Sequence, residues 1–370
     1  MKITFVMGSG LTLAGGDRVI AIHAERLHQR GHEVFVISRP KSRPNLKQQI
    51  KSLIKGQGWI SVPQHEPSHF DGLDVPCKIV ERYRPIVNAD VPDADVVIAT
   101  WWETAEWVAD MSDSKGVKAY FIQHYEAFDY MPQARVAATW ELPMHKIAVS
   151  QWLVDLARAR FGDRNASLVP NSVDPKQFSA APRGKQPIPT VGMLYARASW
   201  KGSDIILKAF TLAAQKIPNL RLVSFGSENL LPELQLPPGT DYAFRPEQSN
   251  LKDFYAQCDA WLFGSRLEGF GMPILEAMAC RTPVIGTPAG AAPELLSNGA
   301  GILVKPEDPE DMARAIENLL QLSDPEWRAM SDAAYAKATS YTWADASQLF
   351  EAALHTAINH AVTPLHETDP

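Results

Sequence analysis

Two glutamates, Glu268 and Glu276, bracket a glycine-rich turn within the segment SRLEGFGMPILE at residues 265–276, with Gly269, Gly271 and Pro273 between them. An apolar run, AWLF, precedes this segment, and residues of helical character follow it. Proline suits a first helical position, where the missing N–H would have had no partner in any case. The glycines let backbone approach a ligand without an intervening Cβ. A helix start offers free N–H groups and the positive end of its dipole, which together make a seat for an anion. Glu276 stands about one turn into that helix, and its carboxylate can accept two hydroxyl hydrogen bonds, as a ribose diol would require. Glu268 stands ahead of the turn, on its other side. The chemistry implied is recognition of a phosphorylated diol. A capping carboxylate beside an ordinary tight turn is the competing reading, and the strand–turn–helix setting argues against it.

A second group of charges follows the run TVGMLY in the segment YARASWKGSD. Arg197 can hold two phosphate oxygens in a fork, whereas Lys201 acts as a point charge. A reaction that expels a phosphate builds negative charge on it, and fixed cations lower that barrier. In the first half of the chain, the loop GSGLTLAGG at residues 8–16 follows an apolar run and opens a helix. It matches a dinucleotide fingerprint poorly, because Gly8 and Gly10 fit but Leu13 stands where the third glycine belongs. The next strand ends at Ser38-Arg39, with no acidic residue for a nucleotide ribose, although Arg39 suits a 2′-phosphate. His124, in QHYEAF, follows the run KAYFI and suits a hydrogen bond to a sugar hydroxyl or a departing phosphate. Glu126 is placed to orient His124 or to meet an acceptor.

The elements that must hold these residues alternate between strand and helix. Residues 2–7 read as a strand, 17–30 as a helix ended by Gly31, and 33–37 as a second strand, a βαβ opening that predicts a parallel sheet. Further strands are expected at 95–99, 118–122 and 146–150. A polar, proline-rich stretch at 179–189 reads as a linker. Beyond it, strands are expected at 190–195, 220–225, 260–263 and 283–286. Helices are expected at 204–217, 251–257, 273–280, 309–322 and 343–361, with a frayed tail from 363 on. In parallel sheets, ligands sit beyond the carboxyl ends of the strands, where both charged segments fall. Asp93-Ala94-Asp95 has the form of a metal-binding DxD but lies at the amino end of its strand, and so reads as solvated charge.

The stretch SRLEGFGMPILEAMACRTPVI strongly resembles the signature of family 4 retaining glycosyltransferases of the GT-B fold. The resemblance covers most of the chain and is strongest over 197–294. It implies an α/β GT-B architecture, two Rossmann-like doubly wound parallel-sheet domains facing a central cleft. The bounds expected are 1–182 for an acceptor-side domain and 187–345 for a donor-binding domain. A helix and tail at 346–370 would pack back on the first. By resemblance, Glu268 contacts the donor sugar, Glu276 the ribose, and the backbone of Gly269, Phe270, Gly271 and Met272 the sugar and phosphates. Arg197 and Lys201 serve the leaving diphosphate, although the family usually spaces this pair one residue further apart. Gly15 and Gly16 lie under the diphosphate, His124 assists catalysis, and Gly226 and Arg245 flank the base. Asn171 and Asp174 in VPNSVDPKQF read as turn-forming, and Glu294 in GAAPE as a helix-dipole partner. Arg281 departs from the family pattern, which has a glycine capping the helix there. The implied activity is transfer of a sugar from a nucleotide-diphosphate donor to an acceptor hydroxyl with retained configuration. The pathways implied are polysaccharide, lipopolysaccharide or glycolipid synthesis. No metal or other cofactor is expected, because the cations and the helix start supply the positive field.

Composition sets outer limits. At 370 residues the chain suggests two domains, and its net charge of −6 argues against a nucleic-acid partner. Three cysteines, Cys77, Cys258 and Cys280, form no CxxC, so neither a disulfide framework nor a zinc site is expected, and the compartment reads as cytoplasmic. No run approaches the roughly 20 apolar residues of a membrane span, so any membrane contact would be peripheral, at the inner face. From Arg39 to His65 there are six Lys/Arg and no Asp or Glu. Within residues 41–59, Leu46, Ile50, Leu53 and Ile54 share one helical face, Lys47, Lys51 and Lys55 line another, and Trp59 follows. This pattern suits peripheral contact with an anionic membrane and a glycan or lipid-linked acceptor. It suits equally a helix packed on its domain with the lysines in water. Two other functions remain open from sequence, an NADP-dependent oxidoreductase using Arg39 and a non-catalytic nucleotide-sugar-binding scaffold.

Overall fold

The computed structural model describes all residues except Ser9, Arg43, Gln57, residues 61–66 and residues 363–370. The tail expected from 363 on and the end of the basic stretch at 61–65 lie outside the described residues. The chain divides into two compact units. Unit 1 comprises Met1–Ala148, Leu153–Val169 and the chain from Ser347 on; unit 2 comprises Val149–Trp152 and Pro170–Ala346.

Unit 1 is built on β1 (Lys2–Met7), β2 (Glu33–Ser38), β3 (Cys77–Ile79), β4 (Val96–Ala99), β5 (Val117–Ile122), β6 (His145–Ala148) and β7 (Ser167–Leu168). They pair all-parallel in the order β3-β2-β1-β4-β5-β6-β7. Its helices are α1 (Gly15–Gln29), α2 (Leu46–Ile54), α3 (Trp102–Ala109), α4 (Gln133–Thr139) and α5 (Gln151–Phe161), whose first two residues count with unit 2. Central strands such as VVIA of β4 are buried throughout, the uniform apolar run of a sheet covered on both faces. α1 begins two residues earlier than its apolar periodicity suggested. The Asp17 carboxylate accepts from the Thr12 N–H at 2.9 Å and from its Oγ at 2.6 Å, tying the preceding loop to the first turn.

Unit 2 carries β8 (Thr190–Leu194), β9 (Arg221–Gly226), β10 (Asp241–Phe244), β11 (Ala260–Phe263), β12 (Val284–Gly286) and β13 (Gly301–Leu303). They are again all parallel, in the order β10-β9-β8-β11-β12-β13. Its helices are α6 (Ser203–Ala214), α7 (Leu251–Ala256), α8 (Met272–Ala279), α9 (Ala292–Leu295), α10 (Pro309–Gln321) and α11 (Asp324–Thr339). Met193, Ile206, Leu262, Ile285, Ile316 and Trp327 meet in its core. α11 escaped the periodicity reading because its inward face is mostly small, Ser331, Ala334 and Ala338 beside Trp327. Its start is nonetheless written locally, since Ser323 and Glu326 form a reciprocal capping box.

The last helix, α12 (Trp343–Val362), starts in unit 2 and continues in unit 1. There Phe350 stacks on His23 with centroids 4.5 Å apart and meets Phe121 at 5.0 Å. Glu351 accepts from Arg30 Nε at 2.7 Å and lies 2.8 Å from His32 Nε2. At the end of α8, Arg281 takes the left-handed conformation usually given to glycine, with φ of 58°. It is compensated there: its guanidinium lies 4.1 Å from the Tyr335 ring centroid and pairs with Asp332.

Candidate functional site

In a doubly wound sheet the strand order reverses beside its first strand, and the loops diverge there to leave a ligand crevice. In unit 2 this point lies between β8 and β11. The loop after β8 carries Arg197 and Lys201, and the loop after β11 carries residues 264–271. The two charged segments, more than sixty residues apart in sequence, are therefore neighbours: Lys201 Nζ donates to Glu268 Oε1 at 2.7 Å. The same oxygen accepts from Ser265 Oγ at 2.8 Å. Glu268 is buried, while Lys201 keeps 28% of its side chain exposed.

Arg266 joins these loops from outside. Its backbone N–H donates to the Trp200 carbonyl at 2.7 Å, and its guanidinium holds Asp204 at 2.8 Å and Glu307 at 2.5 Å. The Asp204 carboxylate, and then that of Glu307, push its pKa up, and Arg266 in turn lowers that of Asp204. Gly202 follows Lys201 in the left-handed region at φ 65° and caps α6. Arg197 is more loosely held, 67% exposed and 3.7 Å from Glu228.

The glycine turn runs from Gly269 to Gly271, with Gly271 at φ 100° as the N-cap of α8. Met272 and Pro273 are the first helical residues, so the turn opens a true helix start. Glu276, one turn in, is buried, and its Oε2 accepts from Tyr255 Oη at 2.7 Å. Tyr255 is fully buried, with its ring 4.4 Å from that of Trp261. The Gly269 carbonyl accepts from Ser150 Oγ at 2.6 Å and from Trp152 Nε1 at 2.9 Å, and the Phe270 carbonyl accepts from Ala291 N–H at 2.8 Å. Gly226 ends β9, and its carbonyl accepts from Arg245 N–H at 2.7 Å. Arg245 is exposed, with φ of 48°, and its Nε donates to the Ser227 carbonyl at 3.0 Å.

Unit 1 has its own reversal point, between β1 and β4. Gly15 and Gly16 open α1, and the Gly16 carbonyl accepts from Gln123 Nε2 at 3.1 Å. His124 follows β5. Its Nδ1 lies 2.8 Å from the Tyr125 carbonyl, so Nδ1 carries the proton of the neutral ring and Nε2 is the acceptor. Glu126 does not fill the role expected of it. It is buried at the start of α3, where its Oε2 accepts from the Trp102 N–H at 2.9 Å, and burial pushes its pKa well above the usual carboxylate range. It acts on α3 rather than on His124.

Three other expectations meet side chains already engaged. Arg39, the arginine needed for a 2′-phosphate, is buried. Its Nε donates to the Gly8 carbonyl, its fork pairs with Glu103, and its guanidinium lies 4.3 Å from the Tyr83 ring and 4.8 Å from that of Trp107. In the DxD, Asp93 pairs with Lys115 at 2.8 Å and Asp95 accepts from the Lys2 N–H at 2.7 Å. Asp174 orders its turn as expected, accepting from the Lys176 N–H at 2.9 Å. Sequence reasoning missed Ser150, Trp152, Tyr255 and Arg266. The first two lie more than a hundred residues from the glycine they hold, so no local pattern marks them.

The amphipathic segment folds as α2, but not as a helix packed on its domain by an apolar face. Gln49 and Ser52 are its buried residues. Gln49 exchanges hydrogen bonds with the Ile60 backbone at 2.8 and 2.9 Å, and Ser52 Oγ donates to the Gly58 carbonyl at 2.8 Å. These bonds turn the polar face inward. Leu46, Ile50, Leu53 and Ile54 are exposed, Ile54 at 81%, as is Trp59 at 64%. Among the described residues no helix is long and apolar enough to cross a membrane.

Comparison with known proteins agrees with this architecture. The family model for Glycosyltransferase Family 4 matches residues 13–177, and that for Glycosyl transferases group 1 matches residues 176–337. A D-inositol 3-phosphate glycosyltransferase of Stackebrandtia nassauensis is 25% identical over 404 residues, covering 95% of this chain and 89% of that protein. The corresponding Mycolicibacterium paratuberculosis protein is 31% identical over 223 residues, covering 57% of this chain and 47% of that protein, so the match spans about half of its length. Among solved structures, sucrose-phosphate synthase of Thermosynechococcus elongatus superposes with a TM-score of 0.71 at 16% identity, covering 98% of this chain and all of that one. Anabaena HepE in complex with UDP and glucose also gives 0.71 at 16% identity, covering 96% of this chain and 100% of that one.

Proposed function

This chain belongs to the glycosyltransferases of group 1 and family 4, with the two Rossmann-like domains of the GT-B fold, and we propose that it transfers a sugar from a nucleotide-diphosphate donor to an acceptor hydroxyl with retention of configuration. The observation that carries the reading is the meeting of Lys201 and Glu268 at the reversal point of unit 2, beside a glycine turn that opens α8. Glu276 takes the ribose hydroxyls. The N–H groups at the start of α8 take the diphosphate, and Arg197 and Lys201 meet the charge that grows on it as the bond from the anomeric carbon to the phosphate oxygen breaks. Glu268 contacts the sugar. The acceptor oxygen bonds to the anomeric carbon from the face the phosphate leaves, and its proton passes to the departing phosphate oxygen. The protein's own groups supply the positive field, and no metal enters the scheme. In unit 1, the acceptor side falls on the loops after β1 and β5, with His124 Nε2 accepting a hydrogen bond from a sugar hydroxyl.

The engagement of Arg39 by Glu103 and Gly8 speaks against the oxidoreductase reading. A thermal-shift panel of UDP-, GDP-, ADP- and dTDP-sugars with NADPH as the contrast tests the proposal. A donor at a hundred times its Kd stabilises the native state by about 2.7 kcal/mol. At about 2–4 °C per kcal/mol, that raises Tm by roughly 5–10 °C. Glu276→Ala should abolish both this shift and donor hydrolysis while the fold is retained. A response to NADPH alone, or to none of these ligands, would sink the proposal.

The outward apolar face of α2 and its exposed Lys47, Lys51 and Lys55 support a second partner, an anionic bilayer surface presenting a lipid-linked acceptor. Each lysine near such a surface contributes about 1 kcal/mol. Reversing all three to glutamate should therefore lower partitioning onto phosphatidylglycerol-containing vesicles at least a hundredfold, on the order of 10² from the lost attraction alone. Equal flotation of wild type and variant would rule the contact out.

A further inference from the structure

The glycine turn carries a physical conflict. Gly269 and Gly271 allow close approach to an anion, but glycines leave the backbone soft, and a soft loop does not hold N–H groups in one direction. The structure meets this from a distant segment. Ser150, 1% exposed, donates its hydroxyl to the Gly269 carbonyl at 2.6 Å, and Trp152 Nε1–H donates to the same oxygen at 2.9 Å. A carbonyl oxygen has two lone pairs, and here both are taken. Because a trans peptide is planar, fixing this carbonyl also fixes the Phe270 N–H, which points the opposite way. The next plane is fixed likewise, since the Phe270 carbonyl accepts from Ala291 N–H at 2.8 Å and so directs the Gly271 N–H. Residues Val149–Trp152 count with unit 2, although the chain on both sides, through Ala148 and from Leu153, counts with unit 1.

We infer that Ser150 and Trp152 are positioning residues for the donor, a two-donor latch that aims the Phe270 N–H at the diphosphate. The inference rests on the reading of this turn as the diphosphate seat. Neither side chain needs to touch the ligand. Both act through the peptide plane they hold, so their loss weakens donor binding more than it slows turnover at saturating donor.

The test uses the full chain with Ser150→Ala, Trp152→Phe and the double variant, plus Ser150→Thr, which keeps a hydroxyl. Two readouts are taken. Amide hydrogen exchange over residues 266–274, without ligand, reports the latch itself. Isothermal titration with UDP, GDP, ADP and dTDP reports its effect on binding. The double variant is expected to exchange the Phe270 amide about tenfold faster and to raise the Kd of whichever diphosphate binds wild type about tenfold, the scale of a lost hydrogen bond or two. Its turnover at saturating donor should stay within about threefold, a factor below the tenfold step of 1.4 kcal/mol. Ser150→Thr should restore wild-type exchange in the otherwise native chain. Unchanged exchange, or unchanged Kd where wild type binds, overturns the latch and leaves the donor site standing. If wild type binds none of the four diphosphates, the donor reading falls and the positioning role falls with it. A variant that loses its far-UV spectrum and cooperative melting marks a structural role and also overturns the proposal.

Discussion

Replacing Lys201 with methionine is expected to lower the maximal rate of sugar transfer by about 10²–10³-fold and to leave the donor KM within a few-fold, the signature of a contact that strengthens as charge develops. Two features of the site set this scale. The ammonium is held on Glu268 Oε1 at 2.7 Å with 28% of the side chain still open, so it is fixed in place yet able to meet a ligand. A cation fixed beforehand pays no reorganisation when the leaving phosphate gains charge. The substitution also leaves the buried Glu268 with Ser265 Oγ but without its counter-charge, which disturbs the carboxylate proposed to meet the sugar. Lys201→Arg keeps the charge on a different shape and should recover only part of the rate, since the guanidinium fork does not sit where a point charge did. Steady-state kinetics with donor and acceptor varied separately checks this. A methionine variant within threefold of wild type would remove Lys201 from the reaction. Arg197, 67% exposed and 3.7 Å from Glu228, is the looser cation of the two.

The second large effect is expected one residue later and on stability. A Cβ built on Gly202 would stand 1.8 Å from the Gly264 carbonyl oxygen and 2.5 Å from its carbon, with φ at +65°. Backbone on both sides leaves no flexible side chain to yield. Left-handed conformation adds about 1–2 kcal/mol for a residue with a Cβ, and overpacking about 1–3 kcal/mol more. At about 2–4 °C per kcal/mol for a unit of this size, Gly202→Ala should lower Tm by roughly 5–15 °C. The strain also falls on function, because Gly202 follows Lys201 and Gly264 precedes Ser265, so a shift in either moves one half of the proposed site. Calorimetric melting checks it; a loss below about 2 °C, the effect of 1 kcal/mol or less, would mean that the two backbones part easily.

The legible part of this protein is local. Alternating apolar runs and helical periodicity announce parallel sheets. The segment 265–276 carries its ligand logic within twelve residues, since glycine, proline and a carboxylate one turn into a helix state backbone requirements that hold in any context. Arg281 shows the limit of such reasoning: its left-handed backbone is what the missing glycine implied, but Asp332 and Tyr335, about fifty residues on, compensate for it.

By itself, then, the sequence determined the carboxylates around the glycine turn, the cations after a neighbouring strand and the helix start that suits an anion. Only the tertiary structure decided what each of these groups touches. It paired Lys201 with Glu268, placed Tyr255 Oη on Glu276, and brought Ser150 and Trp152 to a carbonyl more than a hundred residues away. It also committed Arg39 to Glu103 and turned Gln49 and Ser52 of α2 inward, leaving the apolar residues outside. The reason is the same in each case. Backbone conformation answers to neighbours within a turn or two, whereas a side chain's partner is chosen by which loops the sheet order brings together, and that order is a property of the whole unit.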